Sequence, residues 1–208
     1  ATALAAYICA ARRLELWPSV AEFYVYDDVV YNSMAQDEGR NDRYRAAFAR
    51  HLKGKIVVDI GTGPFAILSR LAVEAGAAHV YAVDLLEATA DRARQAVQRL
   101  GLSDRITVLH GDARTVQLPQ AADVCISEIV GAIGGSEGAA LIINGARRLL
   151  RDPSAMLPKR SVTRLAAVHL PTDSLDWAFP DVAAHYVERI FEQVGKPFDL
   201  RLCVKHLP

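Results

Sequence analysis

Glu128 and Glu137 lie nine positions apart, with only small, apolar or glycine residues between them. Two carboxylates joined by such a segment can fold back and point both anions at one cation. The segment follows a largely apolar run, Ala122 to Ile126, that reads as a buried strand. The end of a strand in an open α/β sheet is where such folds place their ligands. A second set of chemical residues stands upstream. Asp59, Gly61 and Gly63 end the run Ile56-Val57-Val58-Asp59-Ile60-Gly61-Thr62-Gly63, and Asp84 closes Ala78 to Val83, 21 residues after Gly63. Glycine lets backbone approach a ligand closely, and a helix N-terminus offers free N–H groups to an anion. An acid at the second strand end suits ribose hydroxyls. Gly111-Asp112 follows a third strand, Ile106 to His110, and a carboxylate there can accept from an adenine amino group.

These residues call for a nucleoside-containing cofactor. Gly61-Thr62-Gly63-Pro64-Phe65-Ala66 fits the G-x-G-x-x-G/A pattern of dinucleotide binders. Asp59 favours a different ligand, because an acid two residues before the first glycine is awkward beside a pyrophosphate. It suits the ammonium of S-adenosylmethionine, which we expect as the cofactor in preference to NAD.

Elements must position these side chains. Strand, glycine turn, helix and strand in alternation imply a parallel sheet with right-handed crossovers. The first helix reads as Pro64 to Ala75, closed by Gly76. The second carries Leu86, Ala90, Ala93, Val97 and Leu100 on one face and stops at Gly101. Ser136 to Leu150 reads as the helix after the paired glutamates. Ahead of the sheet, Leu4 to Leu16 has helical spacing, Ser19 can cap a helix from Val20 to about Met34, and Asp42 to Leu52 reads as a third. Toward the C-terminus, Asp181 to Val194 reads as a helix and Phe198 to Val204 as a strand.

The order Asp59-Ile60-Gly61-Thr62-Gly63, Val83-Asp84, Gly111-Asp112, Ser127-Glu128 and Glu137 resembles the protein arginine methyltransferases, whose double-glutamate loop has the same spacing. Met34, Asp37 and Arg40 are similar to that family's lid-helix motif, met-x-x-asp-x-x-arg, in which the arginine holds the cofactor carboxylate. The resemblance covers about residues 25 to 165. It implies an α/β fold: a Rossmann-like class I methyltransferase sheet with N-terminal lid helices and a short C-terminal β-containing extension. The expected division is a lid over 1–50, a cofactor-binding domain over 51–158 and a partial barrel or cap over 159–208. Glu128 and Glu137 are the expected catalytic residues. Arg40, Asp59, Gly61, Gly63, Asp84 and Asp112 are the expected cofactor-binding residues. The expected reaction is N-methylation of a guanidinium, on an arginine side chain or a small guanidine. A small-metabolite N- or O-methyltransferase and a silent cofactor-binding module are the alternatives.

The chain also departs from the family pattern. Pro64-Phe65-Ala66 looks like a one-residue insertion where the third glycine belongs. Tyr31 stands where a histidine is common, as in the monomethylating branch, and Asp84 replaces the usual glutamate. The family's Thr-His-Trp loop has no match, and the chain ends at Pro208. These features lead us to expect a small acceptor.

Composition narrows the remaining classes. The 208 residues are 51% apolar, with 24 basic and 24 acidic side chains. Such a chain can bury a core and lacks the charge footprint of a nucleic-acid binder. No apolar run reaches membrane-spanning length, so no membrane partner is expected. Cys9, Cys125 and Cys203 read as reduced core residues of a cytoplasmic protein. The histidines show no metal spacing. Tyr24, Tyr26 and Tyr31 could line an acceptor pocket or pack a helix on the core. The oligomeric state is left open.

Overall fold

The computed structural model describes residues 14–19, 28–129, 138–162, 175–176, 181, 188, 192 and 201–206. In chain order these form β1 (Leu14–Ser19), α1 (Asp28–Gln36), α2 (Glu38–His51), β2 (Ile56–Ile60), α3 (Ile67–Glu74), β3 (His79–Asp84), α4 (Glu87–Arg99), β4 (Ile106–His110), β5 (Val124–Ser127), α5 (Ala139–Ala146), a 3-10 turn (Arg147–Leu149), β6 (Met156–Leu157), β7 (Leu175–Asp176) and β8 (Arg201–His206). The chain divides into two compact units, 1–29 with 163–208, and 30–162.

The unit over 30–162 is built on a five-stranded sheet in the order β4-β3-β2-β5-β6, with every pair parallel. Helices on both faces explain why β2 and β3 are nearly continuous apolar runs. Alternation along β2 divides the core. Val57 joins Phe48, Leu52, Leu71 and Val80 on one side, and Val58 joins Tyr81, Val83, Cys125 and Leu149 on the other. Phe48 and Leu52 are fully buried, which fixes the end of α2 in this core. The expected α/β sheet is present, as are strands β2, β3 and β4.

Several boundaries differ from the sequence reading. α2 begins at Glu38 because the Asp37 side chain accepts from the Arg40 amide at 2.8 Å and caps it. α3 begins at Ile67, not Pro64, because Ala66 adopts a left-handed conformation (φ 47) that holds the preceding residues in a turn. α5 is shorter than expected and ends in the 3-10 turn. Leu86 and Leu100, expected on the buried face of α4, are 44% and 49% exposed at its ends.

The other unit contains a three-stranded sheet, β7-β1-β8. β1 pairs antiparallel with β8 from Leu14↔His206 to Ser19↔Arg201. This overturns the helical reading at Leu14 to Leu16, because distant pairing outweighs local periodicity; Leu4 to Arg13 lie outside the described residues. Asp181, Glu188 and Glu192 are helical. The remainder of that expected helix, with Tyr24 and Tyr26, lies outside the described residues.

Candidate active site

Strand order places the site. From β2 the chain winds outward through β3 and β4, then returns to the opposite side of β2 with β5. The crevice at such a reversal, beyond the carboxyl ends of the strands, is the standard ligand position of open α/β sheets. Ile60 is opposite Ser127 in the β2–β5 register. The glycine turn after β2 and the segment starting at Glu128 therefore leave the sheet side by side.

The turn is tied to β3 by backbone. The amides of Gly61 and Thr62 both donate to the Val83 carbonyl, at 2.9 and 3.1 Å. Gly61 has φ 73, and a Cβ there would stand 3.1 Å from Ile129 Cγ2. Glycine thus suits this left-handed backbone, and a side chain here would press on Ile129. Asp84 accepts from the Gly63 amide through Oδ2 and from the Leu86 amide through Oδ1, each at 3.0 Å. Burial raises the Asp84 pKa, and these two amides oppose the shift.

Asp59 is placed beneath the turn. It is fully buried, and its Oδ2 accepts from Thr62 Oγ1 at 2.8 Å and Ser69 Oγ at 2.6 Å. Its Oδ1 has no hydrogen-bond partner among the described residues. Burial, opposed by these hydroxyls, pushes its pKa up to about 6. Sequence reasoning missed Thr62 and Ser69. Their signal was a pair of hydroxyls placed to meet an acid at a strand end.

Arg40 and Glu128, assigned to different ligands by the sequence, are brought together. Arg40 Nη2 donates to Glu128 Oε2 at 2.9 Å. Arg40 Nη1 donates to Asn41 Oδ1 at 3.0 Å, and the guanidinium carbon lies 5.4 Å from the Tyr44 ring centroid. Arg40 Nε is buried without a hydrogen-bond partner among the described residues. Burial, followed by the Glu128 charge, pushes the Tyr44 hydroxyl up to about 12, so it stays neutral at physiological pH. Arg40 and Glu128 line a cleft with Tyr31, Met34, Gly63 and Phe65.

Asp112 is occupied. Arg114 Nε donates to both of its carboxylate oxygens, at 3.0 and 2.9 Å, and the Arg114 amide adds a bond at 2.8 Å. Arg114 holds the Asp112 pKa down at about 2. The loop is clamped in turn by Arg148, which donates to the carbonyls of Ala113, Arg114 and Val116. Glu137 lies outside the described residues. Cys125 is buried as a free thiol, with its pKa pushed up to about 12 by burial. Among the described residues no acid, histidine or cysteine cluster could hold a metal, and no helix is long and apolar enough to cross a membrane.

Comparison with known proteins gives a consistent result. A model of the methyltransferase domain matches residues 57–152. "Probable protein arginine N-methyltransferase 6" of Arabidopsis thaliana is 36% identical over 157 residues, which are 73% of this chain and 36% of that protein. "Probable histone-arginine methyltransferase CARM1" of Oryza sativa subsp. indica is 38% identical over 53% of this chain and 22% of that protein. The chain therefore spans well under half the length of these relatives. Among solved structures, Arabidopsis thaliana protein arginine methyltransferase 10, in an open conformation, aligns with a TM-score of 0.58 and 32% identity. That alignment covers 64% of this chain and 38% of the other. The Trypanosoma brucei PRMT1 enzyme-prozyme complex with AdoHcy aligns with a TM-score of 0.56 and 34% identity, over 61% of this chain and 41% of the other.

Proposed function

We propose that this chain, whose residues 57–152 match a methyltransferase domain and which is similar to protein arginine methyltransferases, transfers a methyl group from S-adenosylmethionine to a guanidinium nitrogen. The observation that supports this best is the 2.9 Å contact of Glu128 with Arg40. The carboxylate at the cleft already holds a guanidinium, the group the acceptor would present.

The residues fit the cofactor. Arg40 Nε is a buried polar atom without a partner among the described residues, a costly state that a ligand can relieve. Gly61, Thr62 and Gly63 line the cleft, so the glycine turn itself faces the space a ligand would enter. Asp84 would hold the ribose hydroxyls, having been oriented by the Gly63 and Leu86 amides. Arg40 would hold the amino-acid carboxylate. Asp59, beneath the turn, would favour the ammonium through its field and by fixing the turn. Asp112 would meet the adenine amino group only by sharing with Arg114. Helices α1 and α2 would serve as the lid. When bound, the cofactor supplies an electrophilic methyl group on a sulfonium.

The chain's own residues then act on the acceptor. A guanidinium is a poor nucleophile because its charge is delocalised and its pKa exceeds 12. A hydrogen bond from it to Glu128 draws positive charge toward the bonded nitrogen and leaves another nitrogen with a more available lone pair. Glu137 is assigned the same task from sequence. Charge-assisted bonds of this kind contribute roughly 1.5–3 kcal/mol each. Holding the acceptor in line supplies further acceleration. A cytoplasmic location is our reading of the cysteine usage.

Mass spectrometry of methyl transfer to free arginine, arginine peptides and a metabolite extract tests the proposal. Methylated guanidine that disappears in Glu128→Gln supports it, and the choice among acceptors decides whether a small one is used. Methyl transfer to a neutral amine or hydroxyl, insensitive to Glu128→Gln, would overturn the guanidinium reading. Cofactor binding without transfer to any acceptor would favour a silent module.

A further inference from the structure

Asn41 is 3% exposed, a buried polar side chain on α2 beside the cleft. Its carboxamide joins two elements. Nδ2 donates to the Ala35 carbonyl at 3.1 Å, and Oδ1 accepts from Arg40 Nη1 at 3.0 Å. Ala35 lies in the last turn of α1, where helix carbonyls lack intrahelical partners. Rotating the amide would set donor against donor and carbonyl against carbonyl, so both contacts fix its orientation. The helix it closes carries Tyr31 and Met34, which line the cleft, and the Tyr31 ring lies within 3.6 Å of where a Gly63 Cβ would be.

We propose that Asn41 is a positioning residue that holds Arg40 toward the cleft without adding a second negative charge to the one Glu128 already presents, so that the guanidinium can still take an anionic ligand group. The proposal rests on the cofactor reading above and deepens it. Arg40 is held from three directions, by Asn41, by the face of Tyr44 and by Glu128. Of these, Asn41 supplies a neutral acceptor that ties Arg40 to the end of α1. A carboxylate at the same place would accept the same bond, but with Glu128 it would put two anions on one guanidinium and repel an incoming carboxylate. It would further lose the donor to Ala35. The choice of amide over acid therefore sets selectivity for the anionic end of the ligand.

The test compares two probes with one nucleoside. S-adenosylhomocysteine carries the amino-acid carboxylate, and 5′-methylthioadenosine lacks the amino-acid end. Calorimetry should show Asn41→Asp losing at least about tenfold in affinity for S-adenosylhomocysteine. Its affinity for 5′-methylthioadenosine should stay within about twofold of wild type. Asn41→Ala, measured alongside with a thermal melt, should show the same selective loss at smaller size and keeps the question decidable if the aspartate variant does not fold. Equal losses for both probes, or no loss for either, would overturn the role of Asn41 while leaving the cofactor reading standing. A wild-type chain that binds neither probe would remove the cofactor reading and this proposal together.

Discussion

Arg40 Nη2 and Glu128 Oε2 are 2.9 Å apart, so the cation assigned to the cofactor and the anion assigned to the acceptor bind each other. Both side chains are partly buried, at 18% and 27% exposure. Neutralising Glu128 therefore acts in two places. Glu128→Gln should reduce turnover at least roughly a hundredfold, about 2.7 kcal/mol of transition-state stabilisation. It should also change cofactor affinity by a few-fold, through its hold on Arg40. Steady-state kinetics and calorimetry on one preparation separate the two effects, and near wild-type turnover would exclude a catalytic Glu128.

Asp84 and Asp112 should differ in importance. Asp84 is oriented by two amides, whereas the oxygens of Asp112 are engaged by Arg114. Asp84→Ala should weaken S-adenosylhomocysteine binding at least tenfold, about 1.4 kcal/mol. Asp112→Asn should cost about threefold or less. A reversed order in titration calorimetry would show that adenine displaces Arg114.

Asp59 makes stability depend on pH with a definite sign. Its folded pKa, about 6, lies above the unfolded value of about 3.9. Its contribution is therefore fully present below about pH 4 and is lost as pH rises through about 6. The shift amounts to about 3 kcal/mol. Asp59→Asn removes this titration, so its stability relative to wild type should rise between pH 4 and pH 7. Urea melts across that window would contradict the assignment if the difference stayed constant.

Gly145 should resist a substitution that usually strengthens helices. Alanine in a helix interior is normally more stable than glycine by roughly 0.5–1 kcal/mol. Here a Cβ would stand 2.6 Å from Arg114 Cγ and 3.0 Å from Arg114 Cα. The backbone atom cannot swing away, so Gly145→Ala should destabilise by about 1–3 kcal/mol. A thermal melt equal to or above wild type would show that the loop carrying Arg114 yields freely.

The readable parts of this protein were those whose signal is local. Ile56–Ile60 and Ile106–His110 are apolar runs ended by turn residues, and they form the strands the sequence implied. The acids at strand ends were legible for the same reason, since strand order brings those ends together. Ala66 was not legible, because nothing in an alanine announces a left-handed backbone. Leu14–Ser19 was misread because its partner, Arg201–His206, lies at the far end of the chain. The meeting of Arg40 with Glu128, 88 residues away, likewise depends on tertiary packing alone.

The three carbonyls held by Arg148 imply shared opening. Ala113, Arg114 and Val116 are joined through one guanidinium to the 3-10 turn Arg147–Leu149. When that turn frays, all three attachments fail in a single event, and the loop after β4 is released with it. Such linked segments behave as one cooperative unit in native-state fluctuations. The amides of Thr115 and Val116, which close the loop on the Asp112 carbonyl, should then exchange with solvent at the same rate as those of the distant turn.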